Sequence, residues 1–186
     1  MDVETVRFAA FLLGSLLLVF ISRKTLLSFA SHGFYRFFAW ECILALLFIN
    51  LPFWFCNPLS PAQIGSWILL FLSLFALVLA VRQLHNARKP DSERLDDTLY
   101  KFERTTQLVT SGIYHYIRHP MYASLLYLSA GAFLKNISPQ SILLFVVSGV
   151  FLTATAKADE KECLQYFGPA YTDYKKRTTM FIPYIF

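Results

Sequence analysis

Long apolar runs separated by short polar segments dominate the chain. Three runs come first, at residues 6–22, 34–55 and 62–81, and two follow at residues 121–134 and 139–156. A membrane-spanning helix needs about 20 apolar residues. The run at 121–134 is therefore too short to cross unless neighbouring residues contribute. The pattern predicts an all-α, polytopic membrane protein with about five transmembrane helices.

The connecting segments indicate how these helices are joined. Residues 57–61 form an uncharged turn with two prolines. Residues 82–106 are the most polar part of the chain, and we expect a helical extension to residue 89, a break at Pro90 and then a loop. Only residues 135–138 separate the last two runs. A short loop predicts that these two helices form a tight antiparallel C-terminal hairpin.

The composition supports a membrane protein. Charged residues make up 16% of the chain and hydrophobic residues 56%, whereas soluble domains average about 25% charged residues. The net charge of +5 comes from basic residues that border apolar runs, where they meet anionic headgroups, so it does not indicate nucleic-acid binding. The length of 186 residues suits a single domain, residues 1–186. We divide it into the first three spans (1–82), a loop with a motif (83–120), the hairpin (121–158) and a tail (159–186).

Lysine and arginine counts predict the orientation. Three basic residues lie near the first connection, none lies in residues 57–61, seven lie in residues 82–118, and five lie in the tail from Lys157. Loops rich in Lys and Arg stay in the cytoplasm. We therefore expect the N-terminus outside and both the long central loop and the tail in the cytoplasm.

The chemically richest stretch is Leu-Val-Thr-Ser-Gly-Ile-Tyr-His-Tyr-Ile-Arg-His-Pro-Met-Tyr, residues 108–122. Gly112 permits a tight turn, and Pro120 suits the first turn of a helix, which predicts a helix start near His119 and Pro120. Arg118, His119 and the free amides of that helix would then attract an anionic group at the membrane surface. The alternative is a turn whose Arg and His contact lipid headgroups.

Acidic residues follow the last apolar run. On a helix that continues from this run, Asp159, Glu162 and Cys163 share one face. One interpretation is that a carboxylate there holds a cationic ligand beside the hairpin. The other is a solvated amphipathic helix with ion pairs between successive turns.

The sequence does not predict a metal site. His115 and His119 are four residues apart, but Gly112 and Pro120 argue against one continuous helix through both histidines. The cysteines have no disulfide or metal-type spacing: Cys42, Cys56 and Cys163.

The two polar stretches together resemble the isoprenylcysteine carboxyl methyltransferase family of integral membrane enzymes. In that family Leu-Val, Gly-x-Tyr and Arg-His-Pro-x-Tyr precede a helical hairpin, and an acidic pair, Phe-Gly-x-x-Tyr-x-x-Tyr and a late Pro follow it. The resemblance covers roughly the last 80 residues. The matching residues are Leu108, Val109, Gly112, Tyr114, Arg118, His119, Pro120, Tyr122, Asp159, Glu160, Phe167, Gly168, Tyr171, Tyr174 and Pro183.

The resemblance implies S-adenosylmethionine as the methyl donor. A carboxylate of the acidic pair would contact this cofactor, at Asp159 in an ungapped comparison or at Glu160 if one residue is deleted. Both assignments stay open. The other implied cofactor contacts are Thr106, Gln107, Leu108, Val109, Tyr114, His119, Pro120, Met121 and Tyr122. The expected catalytic residues are His119, Arg118 and Tyr122.

One departure from the family concerns the acceptor. An arginine one helical turn before the cofactor carboxylate binds the substrate carboxylate in the family, and Thr155 or Ala156 stands there in this sequence. Thr155 and the nearby Lys157 are the expected substrate-binding residues. The missing arginine argues against a prenylated cysteine as a good acceptor.

Methyl transfer from a sulfonium depends mainly on aligning the reactants. A hydroxyl or amine acceptor would also need a base, and His119 is the nearest candidate. We predict a methyltransferase for a lipophilic small-molecule or lipidated acceptor, in a bacterial inner membrane with its active site facing the cytoplasm, and without a metal or nucleic-acid partner. The alternatives are a phospholipid amine N-methyltransferase, a non-catalytic membrane scaffold, or a reductase that binds a nicotinamide cofactor through Arg88, Lys89 and Arg94.

Overall fold

The computed structural model describes residues 2–29, 31–87 and 107–185. Within these ranges the long elements are all α-helices, and no strand is present, so the predicted all-α class is confirmed. The helices are α1 (Val3–Ser22), α2 (His32–Asn50), α3 (Pro61–Ala87), α4 (Pro120–Phe133), α5 (Pro139–Phe167) and α6 (Pro169–Arg177). Short 3-10 helices lie at Thr25–Leu27, Leu51–Phe53 and Gly112–His115.

Among the described residues, four helices are long and apolar enough to cross a membrane: α1, α2 together with the turn to Phe53, α3 and α5. The fifth predicted span, α4, has 14 residues. At 1.5 Å per residue it extends about 21 Å, short of the about 30 Å of a hydrocarbon core. The prediction that the fourth run is too short to cross a membrane by itself is thus confirmed. With four spanning helices in the described part, the chain is a multi-pass membrane protein.

Local sequence sets several helix ends. Pro120 begins α4 with His119 at the N-cap, as predicted. Helix α5 continues past the apolar run to Phe167, where Gly168 adopts φ 58 and ψ −132, a conformation that is essentially restricted to glycine. Helix α3 continues past Val81 to Ala87. The rest of the predicted extension and the Pro90 break lie outside the described residues.

The helices pack in two main pairs. Helix α2 lies along α5 and α3 lies along α4, while α1 packs mainly on α2. The predicted hairpin joins the two pairs through α4 and α5. Within it the hydroxyl oxygens of Ser129 and Ser148 are 2.7 Å apart, and the rings of Phe133 and Phe145 stack with centroids 5.0 Å apart.

Buried polar groups fix the end of the bundle opposite residues 108–122. Lys135 Nζ donates to Gln63 Oε1 at 3.0 Å and lies 3.7 Å from the centroid of the Trp67 ring. Asn50 donates to the Ala132 carbonyl at 2.8 Å and accepts from the Ser141 hydroxyl at 3.1 Å. Since buried polar groups are costly unless they are paired, these contacts restrict how α2, α3, α4 and α5 can shift.

Gly131 allows α4 to approach α3 closely. A Cβ at this position would lie 2.9 Å from Leu70 Cγ and 3.1 Å from the Ser66 carbonyl oxygen. The Ser66 hydroxyl also donates to the Gly131 carbonyl at 2.6 Å. Gly149 on α5 is a matched control, because the nearest atom to a Cβ there would be 3.9 Å away.

We expect Gly131→Ala to lower the thermal midpoint of unfolding in detergent, because overpacking costs about 1–3 kcal/mol. Gly149→Ala should leave the midpoint unchanged or raise it, since alanine exceeds glycine in helix propensity by about 1 kcal/mol. A midpoint for Gly131→Ala equal to or above that of Gly149→Ala would contradict the close α3–α4 contact.

Candidate functional site

Residues 108–122 form a turn that is held in place by the C-terminal tail. Gly112 has φ 58, and a Cβ there would overlap the Gln83 side chain of α3. Beyond the 3-10 helix the backbone bonds to the tail: the Arg118 amide donates to the Thr179 carbonyl at 2.9 Å, and the His119 amide donates to the Met180 carbonyl at 3.2 Å. The tail thus fixes the backbone that carries His119.

A cleft lies between this turn, the last turns of α5 and α6. Its volume is about 750 Å³, a figure that includes the space at its open mouth. Ten residues that line it were predicted from the sequence: Gln107, Leu108, Val109, Tyr114, Arg118, His119, Pro120, Met121, Tyr122 and Asp159. Five more were not predicted: Leu84, Cys163, Phe167, Tyr171 and Tyr174.

His119 is buried between the two adjacent carboxylates of α5. Its Nδ1 lies 3.4 Å from Asp159 Oδ2, and its Nε2 lies 3.5 Å from Glu160 Oε1. Nε2 has no hydrogen-bond partner within the described part of the chain. The ring stacks on Tyr122, with centroids 5.5 Å apart.

Burial alone would lower the pKa of His119, but hydrogen bonding to Asp159 and the negative charges of Asp159 and Glu160 raise this pKa above its ordinary value. The two carboxylates therefore stabilise the imidazolium form of His119 relative to that of an exposed histidine. This pairing stabilises the fold below the ordinary histidine pKa, and the contribution is lost as the pH rises through the raised pKa.

The structure separates the roles of Asp159 and Glu160. Asp159 lines the cleft. Glu160, with a side chain 7% exposed, accepts from Arg118 Nε at 2.8 Å and from Lys175 Nζ at 2.5 Å. The two carboxylates differ because neighbouring helical residues point about 100° apart. Arg118 also donates to the Lys175 and Thr178 carbonyls, so it ties α5 to the end of α6.

Helix α6 covers one side of the cleft. The reversal at Gly168 turns the chain back, and the 3-residue spacing of Tyr171 and Tyr174 puts both rings on one buried face. Tyr174 donates its hydroxyl proton to the Tyr114 carbonyl at 2.7 Å. Burial raises the pKa of both tyrosines well above the ordinary value, so both remain neutral.

Some predicted site residues do not reach the cleft. Thr155 is fully buried, and its hydroxyl donates to the Phe151 carbonyl one turn earlier at 2.7 Å, so it is directed into its own helix. Lys157 is exposed and, like Glu160, is not among the described residues that line the cleft. Thr106 lies outside the described residues.

A contact between the start of α2 and the acidic face of α5 is not evident in the sequence. His32 is fully buried, with its Nδ1 2.8 Å from Glu162 Oε2, and its backbone amide donates to Glu162 Oε1 at 3.1 Å. The acidic face of α5 is therefore not simply solvated. No local pattern indicates this contact, because the two residues are 130 positions apart.

For most of the other cleft residues that were not predicted, the sequence does contain an indication. Phe167, Tyr171 and Tyr174 belong to the Phe-Gly-x-x-Tyr-x-x-Tyr pattern, which was recognised without being assigned to the site. Cys163 shares the predicted face with Asp159. Leu84 carries no such signal, since its place depends on how α3 packs.

Comparison with known proteins identifies relatives of this chain. Curated relatives named protein-S-isoprenylcysteine O-methyltransferase include one from Saccharomyces cerevisiae, 30% identical over 86 residues (46% of this chain, 36% of the relative). One from Dictyostelium discoideum is 38% identical over 84 residues (41% and 32%). Protein-S-isoprenylcysteine O-methyltransferase B of Arabidopsis thaliana is 32% identical over 84 residues (45% and 43%). The matched part of the chain spans less than half the length of each relative.

A family description covers more of the chain. The sequence model described as phospholipid methyltransferase matches residues 63–170. This region contains the turn at 108–122, the hairpin and the acidic pair. The resemblance drawn from the motifs is thus confirmed, and the chain belongs to the phospholipid methyltransferase family.

Proposed function

We propose that this chain transfers a methyl group from S-adenosylmethionine to a lipophilic acceptor. The observation that carries the proposal is the cleft, which is lined by ten residues that were expected to bind the cofactor or to take part in the reaction. Membership of the phospholipid methyltransferase family and the names of the curated relatives support methyl transfer.

The chemistry of the cleft fits this cofactor. Asp159 offers carboxylate oxygens for the ammonium group of its amino-acid part. His119 has a buried Nε2 without a hydrogen-bond partner in the described chain, and this atom, when it carries a proton, can donate to the cofactor's carboxylate. The faces of Tyr114 and Tyr122 suit a sulfonium through cation–π attraction. Apolar residues of the cleft wall, such as Val109, would contact the rest of the cofactor.

The chain's main contribution to the reaction is alignment. S-adenosylmethionine supplies a methyl group that is already activated on sulfur. Holding the acceptor in line with that group can contribute about 7–11 kcal/mol. An acceptor that arrives as a carboxylate needs no base, and the curated relatives are named O-methyltransferases, so we infer O-methylation rather than N-methylation.

A reductase and a non-catalytic scaffold have less support, since a methyltransferase family favours neither. The nicotinamide contacts expected for a reductase, Arg88, Lys89 and Arg94, lie outside the described residues. We also propose that the cleft faces the cytoplasm, because the basic residues 175–177 lie on the adjacent α6. The bacterial inner membrane stays a prediction.

The carboxylate assignment can be tested with S-adenosylhomocysteine and detergent-purified protein. Asp159→Asn should weaken binding about ten- to a hundredfold, since a hydrogen bond between charged groups contributes about 1.5–3 kcal/mol. Glu160→Gln should lower the thermal midpoint, because it disrupts the pair with Arg118, but change affinity much less. Calorimetric titration measures both affinities. An equal loss of affinity in the two variants would remove the distinction between them.

Activity should follow the residues of the turn. With labelled S-adenosylmethionine, we expect more transfer to a farnesylcysteine analogue than to phosphatidylethanolamine, with a high KM because threonine stands at the arginine position. His119→Ala and Tyr122→Ala should each lower kcat/KM at least tenfold, since both line the cleft. His115→Ala is the control, because His115 is exposed. Preferential labelling of phosphatidylethanolamine would instead support N-methylation.

The orientation predicts the result of reporter fusions. Fusions at Asn57 and Asn136 should report an outside location, and fusions at Asp96 and Phe186 an inside one, because basic residues concentrate in the latter segments. The readout is the activity of a compartment-specific reporter in intact cells. An outside signal at Asp96 would place the cleft on the wrong side for a cytoplasmic cofactor.

A further inference from the structure

A group of three side chains lies beside the cleft: His32, Asp159 and Glu162. Of these, only Asp159 has a role in the proposed methyl transfer. His32 comes from the start of α2, and the two carboxylates lie on one face of α5. One ligand-type atom from each residue lies within 4.8 Å of the other two. His32 is fully buried, whereas the side chains of Asp159 and Glu162 are 21% and 24% exposed. One ligand of the group is therefore buried, and the other two are partly accessible.

The arrangement of this group suits a metal ion. Metal–nitrogen and metal–oxygen bonds of about 2.0–2.2 Å place neighbouring ligands roughly 3 Å apart, and His32 Nδ1 lies 2.8 Å from Glu162 Oε2. The backbone amide of His32 holds the other oxygen of Glu162 at 3.1 Å, as outer hydrogen bonds do in metal sites. The Cys163 thiol, 3.6 Å from Asp159 Oδ1, adds a soft ligand type nearby.

We propose that His32, Asp159 and Glu162 bind a divalent transition-metal ion such as Zn²⁺, and that this ion competes with S-adenosylmethionine. One imidazole and two carboxylates are ligands that Zn²⁺ accepts. The sequence predicts no metal site, because no spacing along the chain indicates that His32 lies near the two carboxylates of α5.

Competition follows from the double role of Asp159. The inference rests on the proposed function, in which Asp159 binds the ammonium group of the cofactor. An Asp159 oxygen that coordinates a cation no longer presents its full negative charge to that group. By thermodynamic linkage the ion and the cofactor must weaken each other's binding by the same factor.

The test uses the full chain in detergent, freed of metal with a chelator and titrated calorimetrically with Zn²⁺ alone. We expect one equivalent to bind to the unaltered protein, and at least tenfold weaker binding to Glu162→Gln and to His32→Asn. The control is His115→Ala, which removes an exposed histidine and should bind Zn²⁺ normally. If His32→Asn does not fold, Glu162→Gln decides the result, since its side chain keeps its shape.

The second titration uses S-adenosylhomocysteine with and without saturating Zn²⁺. Zn²⁺ should weaken its binding at least tenfold in the unaltered protein and leave it unchanged in Glu162→Gln. Absent Zn²⁺ binding, binding that survives both substitutions, or unaltered affinity for S-adenosylhomocysteine would each overturn the proposal. Affinity in metal-free protein tests the proposed function separately, so the two can fail independently.

Discussion

Backbone that leaves a helix near a membrane must still satisfy its amides and carbonyls, and this requirement organises the functional end of the molecule. Residues 116–119 lie between a 3-10 helix and α4, and the tail pairs with them at Thr179 and Met180. An amide left buried without a partner would cost about 1–3 kcal/mol. The tail can reach this point because the chain reverses at Gly168, and the same reversal brings Tyr171 and Tyr174 against the cleft.

The acidic residues of α5 have different partners and different roles. Glu160 is held by Arg118 and Lys175 and connects helices, while Asp159 remains at the cleft wall. Glu162, one turn along from Asp159, binds the start of α2 through His32. The family match begins at residue 63, so this last contact links the functional end to a helix that lies outside the matched region.

Much of this architecture is visible in the sequence, because apolar runs and prolines act locally. The runs identify the helices, Pro120 marks the start of α4, and most of the motif residues line the cleft. Features that depend on rotation or packing are not visible. The sequence alone does not separate the roles of Asp159 and Glu160, because these depend on how α5 packs against its neighbours. Nor does it show that the Thr155 hydroxyl is directed into its own helix. The contact of His32 depends on how α2 packs along α5, which no spacing encodes.

The docking of the tail has a consequence for biosynthesis. Helices α1 to α5 contain every described segment long enough to cross the membrane, so they can be inserted while the rest of the chain is still in the ribosome. The site cannot form at that stage, because Tyr171, Tyr174 and the paired residues at 179–180 have not emerged. Phe181, 1% exposed in the core, completes the docking. Membrane insertion and formation of the site are therefore successive events, and the inserted helices do not hold the complete cleft until residues 171–181 dock.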